Sequence, residues 1–144
     1  MKRILSIQSA VTAGFVGNTV AGPVLTATGH HPLLVNTVSL AAHPGYGGWA
    51  GGVTAPWIFQ DILRGLRSLY GLVQIDQIMT GYLGSLEQVQ AIAPLIIEWQ
   101  NDSHGIYILD PVIGDGGRPY VAPEITVGMI EMLLPLADII TPNQ

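Results

Sequence analysis

Two carboxylates flank a short turn-forming stretch, Asp110-Pro111-Val112-Ile113-Gly114-Asp115. Hard oxygen ligands of this kind suit Mg²⁺ riding on a phosphate substrate, and the glycine lets backbone approach a ligand. The same spacing also fits an ordinary Asx turn. His43 stands in a glycine-rich stretch, 41–53, and is the most interesting of the histidines. His30 and His31 are adjacent, so on a strand they point to opposite faces and make poor joint metal ligands; a solvated turn is expected there. Gly45-Tyr46-Gly47-Gly48-Trp49-Ala50 fits G-x-G-x-x-G/A, but several residues separate it from the neighbouring strand and helix, so it reads as a flexible loop. The only lysine is Lys2, so there is no Walker A motif, and no G-x-S-x-G elbow occurs. With no Cys there is no thiol nucleophile, zinc-thiolate site or disulfide scaffold.

The elements that must position these residues alternate in kind. Residues 4–8 read as a strand, 18–28 as a helix with Val20, Val24 and Leu25 on one face, and 32–40 as a second strand. Pro23 sits inside that first helix, which predicts a bend or a short first turn. Thr54 and Pro56 open a helix with Ile58, Ile62, Leu66 and Leu69 on one face and Gly71 at its stop. A strand follows at 74–80. Ser85 and Gln88 form a capping box, with Glu87 in the first turn, and Leu86, Val89, Ala93 and Ile96-Ile97 give the next helix its buried face. Then come a strand at 105–112, a short edge strand at Tyr120-Val121, a helix at 123–134 and a last strand at 138–141.

Strands alternating with helices predict βαβ units, hence a parallel sheet covered on both faces. Ligands of such sheets bind beyond the carboxyl ends of the strands. Four strand-like runs finish in polar or glycine-containing clusters there: Gln8-Ser9, Thr80-Gly81-Tyr82, Asp110-Pro111 and Thr141-Pro142-Asn143. That edge reads either as a ligand crevice or as a set of ordinary polar turns. Residues 41–53 are the candidate for a mobile flap over it.

Length and charge bound the partners. The 144 residues suit one domain. Charged residues make up 10% and hydrophobic ones 49%, which excludes a disordered, highly charged chain. The net charge of −5, with only five Lys and Arg, leaves no basic stripe for nucleic acid. No charged residue lies between Ile4 and Gln60, but the best spanning window, 10–28, holds Thr12, Gly14, Gly17, Asn18, Thr19, Gly22, Pro23 and Thr26 and is rejected. Ser6, Gln8 and Ser9 break the apolar run after Lys2-Arg3 too early for a signal peptide. A cytoplasmic protein with no membrane partner is expected. The chain stops at Gln144 directly after an apolar strand, so an open sheet edge is expected, covered by further chain or by something else.

In order along the chain, several segments together resemble the pyridoxal kinases of the ribokinase-like superfamily. They are Ile7-Gln8-Ser9, Gly14-Phe15-Val16-Gly17-Asn18, Val35-Asn36-Thr37-Val38, His43-Pro44-Gly45-Tyr46 with Trp49, Thr80 to Ser85, Asp110 to Asp115, Tyr120-Val121-Ala122-Pro123 and Leu136 to Gln144. The resemblance covers essentially the whole chain. It implies an α/β fold, a mostly parallel sheet flanked by helices on both faces, with residues 1–144 as the N-terminal part of a single kinase domain, usually in a homodimer. It implies transfer of the γ-phosphoryl group of ATP to the 5′-hydroxymethyl oxygen of pyridoxal, pyridoxine or pyridoxamine, assisted by Mg²⁺ and a monovalent cation (K⁺ or Na⁺).

By the same resemblance, Ser9 hydrogen-bonds the pyridine ring, Val16 packs near it, and His43 and Tyr82 line the vitamin pocket. Asp110 and Thr141 stand near the cations and phosphates. Asp115, Tyr120 and Asn143 lie on the nucleotide side. Three departures bear on vitamer preference: Ala10 where the family usually has His, Pro44 where it has Thr, and Ala41-Ala42 where it has Ser-Asn. The family's catalytic base lies in a Gly-Thr-Gly-Asp motif that these residues lack; it is expected beyond Gln144, and the chain alone is expected not to catalyse efficiently. Two other readings stand beside this one. The first is a non-catalytic truncated paralogue that binds a vitamer or docks a partner on the sheet edge. The second is a sibling kinase acting on hydroxymethylpyrimidine or a sugar. Tyr46, Trp49 and Thr80-Gly81-Tyr82 favour the pyridoxal branch.

Overall fold

A computed structural model describes residues 1–43, 45 and 50–143. The first strand, β1 (Arg3–Ala13), is longer than its apolar core suggests and runs through the polar pair Gln8-Ser9 instead of ending there. Residues 4–8 are all buried, as a central strand of a parallel sheet must be. On one side β1 pairs in parallel with β2 (His31–Ala42), which pairs antiparallel with β3 (Gly51–Val53). On the other side β1 pairs in parallel with β4 (Gln77–Thr80), followed by β5 (Ile106–Leu109) and then, past a hairpin, β8 (Ile139–Ile140) at the far edge. The order is therefore β3-β2-β1-β4-β5-β8.

Strand alternation distributes the side chains to two layers. Leu5 and Ile7 of β1 and Leu33 and Val35 of β2 join a core with Phe59 and Leu63 of α2 (Pro56–Tyr70) and Val89, Ile92, Ile96 and Trp99 of α3 (Leu86–Asp102). Ser6 and Gln8, on the opposite face, lie against α1 (Asn18–Ala27). Helices thus cover both faces, as the alternating pattern predicts.

The helices differ from expectation in which side they bury. On α1 the buried residues are Asn18 and Gly22, while Val20 and Val24 are exposed. A Cβ at Gly22 would stand 2.8 Å from Leu34 Cδ1, so the glycine lets the helix lie close on β2. On α2 the buried pair is Phe59 and Leu63; Ile58, Ile62 and Leu69 face outward. Thr54 does not cap α2: its hydroxyl donates to Asn36 O, Ala55 takes the N-cap position and Pro56 opens the helix. Gly71, at φ 65°, stops it. Ser85 caps α3 by accepting from Gln88 N–H, but Gln88 Oε1 reaches back to Gly84 N–H at 2.9 Å rather than to Ser85 N–H. Ile97 is half exposed, and Trp99, missed in the pattern, is fully buried with Nε1 donating to Ile75 O.

Other boundaries also move. Residues 72–74 form a 3₁₀ turn before β4. Tyr120-Val121 is not a strand. The chain instead makes a hairpin of β6 (Gly114–Asp115) and β7 (Arg118–Pro119), turned by Gly116 and Gly117 at φ 54° and 76°. The helix at 123–134 divides into α4 (Pro123–Gly128), a π turn at Met129–Leu133 and a 3₁₀ turn at Leu134–Leu136 that contains Pro135. The ends of the glycine-rich stretch 41–53 belong to β2 and β3. Pro44 and residues 46–49, on which the loop and flap readings rest, lie outside the described residues. His30 and His31 are half-buried at the start of β2 rather than in a solvated turn, and His31 meets Tyr70 edge-on. Ile139 and Ile140 of the edge strand remain 45% and 49% exposed, as an uncovered apolar edge implies. No helix among the described residues is long and apolar enough to cross a membrane.

Candidate active site

A cavity of about 580 Å³ opens at the carboxyl ends of the strands. Its position follows from the topology. From β1 the chain goes to β2 on one side and later returns to β4 on the other, leaving a crevice where the winding reverses. Ser9, Val16, His43, Tyr82, Asp110 and Tyr120 all line it. Six predicted site residues from separate parts of the sequence are therefore brought together. The other three stand beside them. Thr141 adjoins Asp110 and Asp115 adjoins Tyr120, while Asn143 Nδ2 donates to Gly114 O at 2.8 Å.

A bulge shapes the serine end. Gln8 pairs with Asn36, but Ala10 pairs with Ser39, so β2 places Thr37 and Val38 opposite Ser9 alone. Thr37 leaves the ladder: its hydroxyl donates to Tyr82 O at 2.7 Å, and its carbonyl accepts from Gln88 Nε2 and Thr54 N–H. One irregularity thereby ties β2 to the segment carrying Tyr82 and to the start of α3. Gly17 closes the opposite side. It has φ 54°, and a Cβ there would lie 2.2 Å from Ser9 O and 2.5 Å from Ser9 Oγ, so only glycine fits.

Beneath the cavity lies a polar network that the strand pattern hid. Ser6 Oγ donates to Asn18 Oδ1 at 2.7 Å, and Gln8 Nε2 donates to Ser6 Oγ at 2.8 Å. Asn18 Nδ2 reaches Val35 O at 3.0 Å and Asn36 Oδ1 at 2.8 Å. The signal was present in the sequence: Ser6 and Gln8 interrupt an apolar strand, as Asn36 and Thr37 interrupt the next, and buried polar groups need partners. Val11, Val38, Leu40 and Val112 complete the apolar walls.

The acid–base character of the cavity is set largely by burial. Burial raises the Asp110 carboxyl above its ordinary range, and the neighbouring Thr141 hydroxyl, which favours the carboxylate, pulls the other way. Burial likewise raises Tyr82. Tyr120 is raised by desolvation and further by Asp115 beside it. Deeper in the sheet, burial pushes Tyr107 up to about 12, and its hydroxyl pairs with Thr80 Oγ1 at 2.8 Å. Among the described residues no three His, Cys, Asp or Glu side chains cluster to cage a metal.

The sequence profile of the phosphomethylpyrimidine kinases matches residues 59–144, more than half of the chain. The chain belongs to the phosphomethylpyrimidine kinase family. Among relatives of this kinase family, pyridoxal kinase PdxY of Leifsonia xyli is 38% identical over 148 residues, covering 99% of this chain and 51% of that protein. Pyridoxal kinase from Entamoeba histolytica superposes with a TM-score of 0.94 at 30% identity, covering 99% of this chain and 50% of that one. Pyridoxal kinase from Leishmania donovani, in complex with ADP and pyridoxamine, superposes at 0.91 with 36% identity and the same coverage. The fold is the ribokinase-like one expected. The chain spans about half the length of the curated relatives it matches.

Proposed function

We propose that the protein carrying this chain transfers the γ-phosphoryl group of ATP to the 5′-hydroxymethyl group of a B6 vitamer, and that these residues form its vitamer pocket and part of its phosphate side. One observation carries the reading: a single cavity at the switch point of the sheet holds Ser9, Val16, His43 and Tyr82 with Asp110 and Tyr120. Its apolar walls suit an aromatic ring. The relatives' complex with ADP and pyridoxamine supports the same pair of ligand classes here.

In this reading Ser9, held by Gly17 and the bulge, offers its hydroxyl to the ring, and Val16, His43 and Tyr82 enclose it. Asp110 and Thr141 present adjacent hard oxygens, a donor set that fits Mg²⁺ or a monovalent cation (K⁺ or Na⁺) whose remaining positions go to phosphate and water. Such ions neutralise charge on the transferring oxygens. Asp115, Tyr120 and Asn143 sit around the β6–β7 hairpin and border the nucleotide. Asp110 is the only carboxylate among the described cavity-lining residues and serves the ions; by the resemblance, the proton of the attacking hydroxyl goes to the aspartate of a Gly-Thr-Gly-Asp motif that these residues lack. The outward apolar row Ile58, Ile62 and Leu69 supports a homodimer, which sedimentation velocity at micromolar concentration checks.

The test is a competition. The protein at its natural length is given ATP, Mg²⁺, pyridoxal and hydroxymethylpyrimidine, and the phosphorylated products are separated by chromatography. Pyridoxal 5′-phosphate as the main product supports the reading. Preferred phosphorylation of the pyrimidine assigns the site to the sibling activity, and no product from either rejects both.

A further inference from the structure

We infer that Gln8 determines substrate specificity: its side-chain oxygen accepts a hydrogen bond from a hydroxyl carried by the substrate ring. The inference rests on the cavity being a vitamer site. Its evidence is a chain of hydrogen bonds whose direction can be read from one end to the other.

The chain is anchored at the backbone. Asn18 Nδ2 faces two carbonyls, Val35 O at 3.0 Å and Gln8 O at 3.4 Å. Carbonyls only accept, so this end of the Asn18 carboxamide is the amino group and the other is Oδ1. The Ser6 hydroxyl lies 2.7 Å from Oδ1 and must donate to it. Having spent its only proton, Ser6 Oγ can only accept from Gln8, at 2.8 Å, so the atom facing it is Gln8 Nε2. The Gln8 carboxamide therefore has a single orientation, with Oε1 turned away from the network.

Oε1 meets no donor among the described residues. Gln8 is only 9% exposed and lines the cavity. Among the described residues, the fully sealed side-chain atoms without a partner are Arg3 Nε and His30 Nδ1. Oε1 is not among them, so its remaining surface opens to the cavity. A side chain this buried rarely leaves a strong acceptor unused. Gly81 guards the orientation: a Cβ there would stand 2.7 Å from Oε1. The site thus presents a fixed acceptor, with no proton of its own, against apolar walls. Such an acceptor selects an O–H or N–H donor and disfavours an analogue that leaves it unpaired.

The experiment measures equilibrium binding of three ligands to the protein at its natural length. They are pyridoxine, 3-deoxypyridoxine and 4-deoxypyridoxine, each analogue lacking one hydroxyl other than the phosphoryl acceptor. The unaltered protein is expected to bind one of the two analogues about tenfold more weakly than pyridoxine. Gln8→Met keeps the volume without the acceptor. It should bind pyridoxine about tenfold more weakly and no longer distinguish that analogue. A merely structural role would weaken all three ligands alike and leave the ratio intact, which overturns the proposal. Gly81→Ala provides a second route, because the new methyl meets the movable end of Gln8 and shifts Oε1 without deleting it. If Gln8→Met does not fold by circular dichroism, Gly81→Ala decides: a reduced ratio supports the proposal and an unchanged one overturns it. Binding of pyridoxine with both analogues equal to it in the unaltered protein overturns the role of Gln8 but leaves the vitamer site. Binding of none of the three overturns both.

Discussion

At Asp110, burial opposes the charged form that the proposed function needs. Its pKa is raised by burial, so the folded protein grips that proton more tightly than the unfolded chain does. A carboxyl with a raised pKa favours folding at low pH, and its contribution is lost as pH rises through the folded value. Asp110→Asn should therefore melt at a higher temperature than the unaltered protein at pH 7, with the gap closing as the pH falls below the carboxyl's range. Under the proposed function the same change should lower kcat/KM about a hundredfold, since it would remove charge that holds the ions against the phosphates. A lower melting temperature at pH 7 with unaltered turnover would remove Asp110 from the account.

Tyr107 titrates deeper in the sheet, on β5. Its pKa of about 12 implies a contribution to stability that is complete below about pH 10 and lost as pH rises through the folded value. Alkaline unfolding should steepen above pH 10. Tyr107→Phe should lessen that steepening and cost about 1–3 kcal/mol at neutral pH, because Thr80 Oγ1 is left buried without its partner. Denaturant titrations at pH 7 and pH 11 measure both.

At the scale of elements, the helices were legible as helices, and their buried faces less so. Ile58-Phe59 and Ile62-Leu63 are adjacent apolar pairs, so two faces of α2 satisfy the same 3.6-residue period, and tertiary packing chooses between them. Phe59→Ala should cost about 3–5 kcal/mol in denaturant titrations, and Ile58→Ala under about 1 kcal/mol. Equal costs would return the helix to the face that periodicity first suggested. The β3 strand was unreadable for a different reason: Gly51-Gly52 carries no strand pattern, and the hairpin is made by its pairing with Ser39 and Leu40.

The bulge opposite Ser9 was also invisible. A two-residue period cannot announce an extra residue, and the bulge shows only in the structure, where Gln8 pairs with Asn36 but Ala10 with Ser39. Gly17 belongs to the same device. Gly17→Ala sets a methyl against Ser9 backbone, which cannot swing aside, and at a left-handed φ. It should destabilise by at least about 2 kcal/mol and weaken vitamer binding with it. A stable Gly17→Ala protein with normal vitamer affinity would show that Ser9 is not held in this way.

For the molecule as a whole, the alternation of strands and helices pointed to the edge where the cavity opens, because in a parallel sheet the polar strand ends converge at the carboxyl end. What the sequence could not reveal was the depth of the site. Residues at the ends of β4 and β5 announce themselves as polar clusters, whereas Ser6 and Asn18 sit within elements that periodicity assigns to packing. The strand order sets the division of labour. β1 and β2 supply Ser9 and His43 from one side of the switch, while β5 and β8 lead into Asp110 and Thr141 on the other. Under the proposed function, ring and phosphates take opposite flanks of one crevice.

That assignment is open to direct inspection. A crystal structure of the protein at its natural length with pyridoxine, ADP and Mg²⁺ should place the pyridine ring between Ser9 and Tyr82. It should place the metal and the terminal phosphate within reach of Asp110 and Thr141. A ring bound elsewhere on the surface, or a nucleotide lying across Ser9 with the vitamer at Asp110, would contradict the account.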